Sequence, residues 1–258
     1  MLEPAPDPVT TAVVSRGYLE RDLAVPAVWG RSGARPYDHT VAIKSTGDPA
    51  IDALYKVRAG KVDFVDVPEL GFVVIDGAGA PGGDAFSSAL QALYAVSYGA
   101  HFALKKASGE APRVMALEAL WWVEGADAQA TMERIAMGAA SMAESDRSQW
   151  HWRAMIMQLP PIDDRMIDQA ITDANAKKDL AALDAVRYER WVEGPSAQIM
   201  HIGPYASEAT SIVALHQAIG AHALRPRGRH HEIYLGDPRT SAPERLRTIL
   251  RQPVEPDR

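Results

Sequence analysis

The sequence contains no cysteine, and this absence removes several kinds of chemistry at once. Disulfide bonds, thiolate zinc sites, iron–sulfur clusters and cysteine nucleophiles all require that residue. A Gly-x-Ser-x-Gly nucleophile elbow is missing as well. A chain that depends on no oxidised cysteine suits a reducing compartment, so we expect a cytoplasmic protein.

Positive charge and long apolar runs are also scarce. The 27 Lys and Arg residues face 33 Asp and Glu residues, which gives a formal net charge of −6. No segment gathers basic residues into a patch, so we expect no nucleic-acid partner. The most apolar stretch, residues 85–104, is interrupted by Gln91 and His101, and residues 1–6 lack a basic start and an apolar run. We therefore expect neither a membrane span nor a targeting signal.

One glycine pattern imitates a dinucleotide-binding motif. Gly77, Gly79 and Gly82 follow a predicted strand and precede a predicted helix. However, Pro81 removes one amide from this turn, and no parallel strand ending in an acid follows the helix. The eight histidines show no spacing typical of zinc ligands. We therefore expect no nucleotide, no other cofactor and no metal.

After about residue 61 the chain repeats itself. Residues 62–69 and 186–193 agree in apolar, aromatic and Glu positions, and each is followed by an apolar strand that ends in glycine, at Gly77 and at Gly203. A helical pattern and two further strands then follow in both copies. With 258 residues, 47% of them hydrophobic, the chain is long enough to bury a core around such a duplicated unit.

Each copy predicts a βαββ module. The first helix begins near Asp84, whose side chain can cap it, and the second begins near Ser207. The later strands cover residues 115–123 and 150–159 in the first copy, and 230–235 and 246–254 in the second. Their hairpins are too short for parallel crossovers. The fold class is therefore α+β, with tandem βαββ modules, pseudo-two-fold symmetry and an antiparallel sheet around a central cleft.

The composition also predicts how the chain is divided. Residues 1–50 are rich in proline and form a loosely structured extension, and residues 51–258 form one folded domain. Within that domain the segments are repeat one at about 61–160, a connecting helix at about 163–178 and repeat two at about 184–255. Repeat one carries an insertion, residues 125–149, with one more amphipathic helical pattern.

Two carboxylates occupy matching places in the copies. Glu118 and Glu232 both precede an aromatic residue in the third element, so we expect them to approach each other across the seam. Strand alternation places Trp122 beside Glu118 and Tyr234 beside Glu232. At 4 Å and a dielectric constant of 20 their repulsion is about 4 kcal/mol, enough to keep one acid protonated. The alternative, that each Glu lies in solvent on an open sheet face, stays open.

The tryptophans invite two interpretations. Trp121 and Trp122 must point to opposite faces of their strand, so they cannot both enter one core. Trp150 and Trp152 share a face, and either core packing or ligand contact is compatible with that. His201 lies in a strand that can line the cleft.

In combination, these segments resemble the GyrI-like small-molecule-binding proteins. The resemblance covers roughly residues 50–255 and is carried by Leu117-Glu-Ala-Leu-Trp-Trp122, Trp150-His-Trp152, His201-Ile-Gly-Pro-Tyr205 and His230-His-Glu-Ile-Tyr234. It implies tandem βαββ modules around a cleft, and a Glu at the place of Glu232 that contacts cationic or aromatic drugs. Some stand-alone members are similar to hydrolases that open the cyclopropane ring of DNA-alkylating natural products.

Three functional hypotheses follow. The first is a stand-alone protein that binds planar hydrophobic or cationic small molecules through Glu118, Trp121, Trp122, Trp152, His201, Tyr205, Glu232 and Tyr234. The second is a detoxifying hydrolase, in which one of Glu118 and Glu232 delivers water and the other protonates the leaving oxygen. The third is an accessory partner of a regulator. The oligomeric state is left open.

Overall fold

The computed structural model describes residues 45–124 and 150–257. Seven strands form its sheet: β1 (Asp63–Ala78), β2 (Leu117–Val123), β3 (Trp150–Gln158), β4 (Arg187–Ile202), β5 (Leu224–Pro226), β6 (His230–Tyr234) and β7 (Arg247–Pro256). The α-helices are α1 (Pro49–Leu54), α2 (Asp84–Ser108), α3 (Asp164–Asn175) and α4 (Ala209–Ala221). Most of the predicted extension, residues 1–44, and the predicted insertion, residues 125–149, lie outside the described residues.

The strands form an antiparallel sheet that closes on itself. Their order is β4-β1-β3-β2-β6-β7, and β4 pairs with β7 as well, which completes a ring. The short strand β5 adds to the end of β7. Both halves run strand, helix, strand, strand, as β1-α2-β2-β3 and as β4-α4-β6-β7, and they meet at the β1–β4 and β2–β6 ladders. The predicted α+β fold class is confirmed.

Helical periodicity explains which faces of the helices are buried. In α2 the apolar residues Phe86, Leu90 and Leu93 recur every three or four positions and are buried. The helix ends at Gly109, which has a φ of 84° and therefore adopts the left-handed conformation that glycine tolerates best. The expected cap by Asp84 is wrong: Gly83 occupies the N-cap position without a side-chain hydrogen bond, and Asp84 is already helical.

The closed sheet has an inner and an outer face, and the two helices of the repeats cover the outer one. Phe86 of α2 contacts the rings of Trp121 and Trp152 on that face, at centroid distances of 5.3 and 5.0 Å. On the second half, α4 packs Ile212 and Leu215 into a separate apolar cluster with residues of β4 and β7. The helices and strands thus bury two apolar clusters, one beneath each of the two helices.

No helix within residues 45–124 and 150–257 is both long and apolar enough to cross a membrane.

Candidate functional site

The β2–β6 ladder decides where the two predicted acids lie. Ala119 is paired with Glu232, and Glu118 is paired with Ile233. Because side chains alternate along a strand, Glu118 points to the inner face and Glu232 to the outer face. The prediction that these carboxylates face each other in one cleft is therefore wrong. The sequence comparison matches Glu118 with Glu232, whereas the ladder pairs Glu232 with the next residue, Ala119. A shift of one residue turns a side chain to the other face of the sheet.

Glu118 instead belongs to a buried network on the inner face. Its Oε1 accepts a hydrogen bond from the Tyr55 hydroxyl at 3.0 Å, and its Oε2 lies 2.9 Å from Nε2 of His231. The other ring nitrogen of His231 lies 2.9 Å from Oε1 of Glu193, whose Oε2 accepts from Nη1 of Arg251 at 3.0 Å. We call these five residues the inner network.

Charge within the inner network is compensated by its own members. Burial disfavours a positive His231, but the adjacent Glu193 and Glu118 carboxyl groups outweigh it and raise the pKa of His231 to about 9. Burial likewise opposes ionisation of Glu193, but His231 and Arg251 lower its pKa to about 2. Cationic side chains thus alternate with carboxyl groups, and each carboxyl group of the network has partners within the network itself.

Trp122 lies on the same inner face and is engaged by neighbouring side chains. Its ring stacks on His151 at a centroid distance of 5.8 Å, and Cζ of Arg229 lies 3.4 Å from its ring centroid. Its indole nitrogen donates to Oε1 of Glu124 at 3.1 Å. The prediction that Trp121 and Trp122 point to opposite faces is confirmed by the β2–β3 register, in which Trp121 pairs with Trp152.

A second polar group forms on the outer face. The Trp121 indole nitrogen donates to the Tyr234 hydroxyl at 3.0 Å, and that hydroxyl donates to Oε2 of Glu232 at 2.6 Å. The Tyr205 ring lies edge-on to the Tyr234 ring at 5.7 Å. Both tyrosines are half-buried, whereas Glu232 is only 9% exposed. With Glu208, described next, these residues form what we call the acid–tyrosine cluster.

Glu208 was not predicted from the sequence. It immediately precedes α4, is 6% exposed, and its Oε1 has no hydrogen-bond partner among the residues that the structure describes. Burial and then the nearby Glu232 carboxyl raise its pKa well above the usual range. A signal was present, because Asp84 begins the helix of the first repeat as Glu208 begins that of the second.

The described part of the chain supplies no compensating cation to the acid–tyrosine cluster. Burial raises the pKa of Glu232 to about 7, although the Tyr234 hydrogen bond acts in the opposite direction. His230 Nε2 lies 3.7 Å from Oε1 of Glu232, but burial and the nearby His216 lower the pKa of His230 to about 3, so it is neutral. Within the described residues, no Lys or Arg lies within ion-pair distance of Glu208 or Glu232.

Two other predicted residues occupy different surroundings. Trp152 is 2% exposed and packs against Phe86 and against Gly77, where an added Cβ would lie 2.3 Å from the indole ring. It is a core residue in this state of the protein. His201 is paired with Thr248 on the outer face and contacts Ser211 Oγ at 3.0 Å. Burial lowers the pKa of His201, so it is a neutral member of this region.

Comparison with known proteins gives relatives of similar structure. An uncharacterized conserved protein from Listeria innocua superposes with a TM-score of 0.68 at 30% identity, over 79% of this chain and 96% of that one. A hydrolase from Listeria innocua superposes with a TM-score of 0.64 at 29% identity, over 80% of this chain and 97% of that one. The EcmrR C-terminal domain is more distant: its TM-score is 0.44 at 11% identity, over 76% of this chain and 98% of that one. No family model and no curated protein matches the chain.

Proposed function

Because this chain belongs to the family of the conserved Listeria innocua protein, we propose that it and its relatives are GyrI-like proteins and that it binds planar organic cations. The proposed site is the acid–tyrosine cluster on the outer face. Of the residues predicted from the sequence, it uses Trp121, Tyr205, Glu232 and Tyr234. Glu118 and Trp122 are not part of this proposal, since they lie on the inner face.

One observation carries the proposal: Glu232 is a buried carboxyl group that has no cationic partner in the described parts of the chain. Burying such a group is unfavourable unless a counter-charge arrives. The aromatic rings of Tyr205 and Tyr234 lie next to it and keep some solvent contact. A flat cation satisfies both features, because it stacks on the rings and neutralises the carboxylate, and each cation–ring contact contributes about 0.5–2 kcal/mol.

Titration with rhodamine 6G, followed by tryptophan fluorescence at pH 8, tests this proposal. Trp121 donates to Tyr234, so occupation of the site should change its emission in a saturable way. Glu232→Gln keeps the shape of the side chain but removes its charge, and we expect it to weaken binding by about tenfold or more. Glu124→Gln, an exposed carboxyl group next to Trp122, serves as the matched control. Equal affinity in Glu232→Gln and wild type would remove Glu232 from the site.

The affinity should also depend on pH. A cation binds to the ionised form of Glu232, whose pKa is about 7 in the free protein. Between pH 8 and pH 5.5 the dye should therefore bind roughly 30-fold more weakly, since each pH unit below the pKa lowers the ionised fraction about tenfold. Glu232→Gln should show a shallower dependence. A flat affinity profile in the wild type would contradict the proposed role of the carboxyl group.

A second candidate function is hydrolysis of cyclopropane-bearing alkylating compounds. It is favoured by the relative named a hydrolase, at 29% identity. The original pairing of Glu118 with Glu232 cannot serve, because the two lie on opposite faces. Glu208 and Glu232 are the alternative pair. Burial raises the pKa of Glu208 well above its usual range, which suits a proton donor, and raises the pKa of Glu232 to about 7, which suits a base for water.

Incubation with a cyclopropane-bearing DNA alkylator, followed by mass spectrometry, tests this candidate. Turnover should produce a ring-opened compound that has gained one water molecule. Glu208→Gln and Glu232→Gln should each abolish it, whereas Glu124→Gln should not. A protein that binds the compound but leaves it intact would exclude the hydrolase and retain the binding function.

A further inference from the structure

Three buried polar atoms around the acid–tyrosine cluster have no hydrogen-bond partner within residues 45–124 and 150–257. They are Oε1 of Glu208, Oγ1 of Thr248 and Nε2 of His230. Their residues are exposed by only 6%, 0% and 4%. Buried polar atoms in folded proteins are nearly always hydrogen-bonded, so three in one region call for a partner that the described residues do not supply.

The register shows that these atoms belong to one region. His230 and Glu232 alternate onto the same outer face of β6, and His230 Nε2 lies 3.7 Å from Oε1 of Glu232. Thr248 of β7 is paired with Tyr234 of β6, so it points to that face too. The Thr248 hydroxyl lies near enough to the Glu208 carboxyl group to favour its ionised form, although not in hydrogen-bond geometry, so Glu208 belongs to the same region.

Glu208 is the most informative of the three residues. Even when the Glu208 carboxyl group is protonated, one of its two oxygens carries no proton and can only accept a hydrogen bond, whereas a threonine hydroxyl and a neutral imidazole can each donate or accept. The Glu232 carboxyl already uses Oε2 to accept from Tyr234. Oε1 of Glu208 therefore presents an unused acceptor within a site that, on the proposed function, receives a cation.

We propose that Glu208 accepts a hydrogen bond from the ligand, so that the site prefers cations that carry an N–H over cations whose nitrogen is fully substituted. This inference rests on the proposed function and names its ligand class: protonated aromatic amines and related N–H cations. A quaternary nitrogen stacks on Tyr205 and Tyr234 equally well, but it leaves Oε1 of Glu208 buried and without a donor. A site built around such an acceptor discriminates against a ligand that cannot donate to it.

Acridine orange and its 10-methyl derivative form a suitable pair of probes. Both are planar cations on the same ring system, but protonated acridine orange carries one ring N–H and the derivative carries a methyl group there. Titration at pH 7 should show wild-type protein binding acridine orange about tenfold or more tightly than the derivative, the range expected for a charge-assisted hydrogen bond.

Two variants separate the hydrogen bond from simple steric exclusion of the methyl group. Glu208→Met has similar length and no acceptor, so the preference should fall to within about threefold, whereas a steric preference would persist. Glu208→Gln keeps an amide oxygen and should retain part of the preference. Because Glu208→Met also removes an unpaired buried polar atom, it should fold at least as stably as the wild type, which thermal unfolding will verify.

The outcomes distinguish this inference from the proposed function. If both dyes bind the wild type with equal affinity, or if Glu208→Met retains the full preference, the role of Glu208 is wrong and cation binding stands. If neither dye binds, the proposed function itself fails. A preference that disappears in Glu208→Met supports both.

Discussion

Glu232 should make the stability of the ligand-free protein decrease as pH rises, and Glu232→Gln should abolish that decrease. The pKa of this carboxyl group is raised from 4.5 to about 7 in the folded protein. The folded state therefore holds the proton more tightly than the unfolded state. Stability from this group is fully present below pH 4.5 and is lost as pH rises through about 7.

The magnitude follows from the two pKa values. A shift from 4.5 to about 7 corresponds to roughly 3.4 kcal/mol in total, of which about 2.5 kcal/mol falls between pH 5 and pH 8. The Gln side chain has the same shape and does not ionise. The free energy of unfolding of Glu232→Gln, taken relative to that of the wild type, should therefore be up to about 2.5 kcal/mol higher at pH 8 than at pH 5. The Glu232 charge also raises the pKa of Glu208, so Glu208 ionises more easily in the variant, which makes this figure an upper bound.

Urea unfolding at pH 5 and at pH 8 measures this difference directly. Glu244→Gln, at an exposed carboxylate in the turn before β7, is the control and should follow the wild type at both pH values. The reasoning is refuted if Glu232→Gln and wild type differ by the same amount at pH 5 and at pH 8. Such a result would mean that Glu232 ionises in the folded protein as easily as in the unfolded chain.

Two further predictions concern the inner network and the core. His231→Gln should destabilise the protein by about 3–5 kcal/mol in urea unfolding, because it leaves Glu118 and Glu193 buried without the imidazolium between them. The stabilisation by His231 is complete below pH 6.5 and is lost as pH rises through about 9. The variant should therefore not lose this stability between neutral and alkaline pH. An equal loss of unfolding free energy in both proteins would contradict the raised pKa of His231. Gly77→Ala should lower the free energy of unfolding by roughly 1–3 kcal/mol, because its Cβ would lie 2.3 Å from the Trp152 ring. The double variant with Trp152→Leu should recover part of that loss. An unchanged urea midpoint in Gly77→Ala would contradict the close contact.

Local patterns in the sequence predict most of the elements. The strand predicted at residues 150–159 is β3 (Trp150–Gln158), and the helix predicted near Ser207 is α4, which buries Ile212, Leu215 and Ile219. Periodicities of 2 and 3.6 residues are properties of a short segment, so they survive without knowledge of the rest of the chain. The predicted alternation of Trp121 and Trp122 holds for the same reason.

The arrangement of the acids could not be obtained in this way. Whether Glu118 and Glu232 share a face depends on the register between β2 and β6, which are more than 100 residues apart in sequence. An error of one residue in aligning the repeats reverses the answer. The inner network was missed because its members are far apart in the sequence. Tyr55 directly follows α1, Glu193 lies in β4 and Arg251 lies in β7, and only the closed sheet brings them together.

The proposed binding function requires the Glu232 carboxyl group to ionise when a positively charged ligand binds. Counting protons during binding tests it most directly. At pH 6 a group with a pKa of about 7 is roughly 90% protonated. Calorimetric titration with rhodamine 6G, in two buffers of different ionisation enthalpy, should therefore show release of about one proton per bound cation. Tight binding at pH 6 with no proton released would contradict the account.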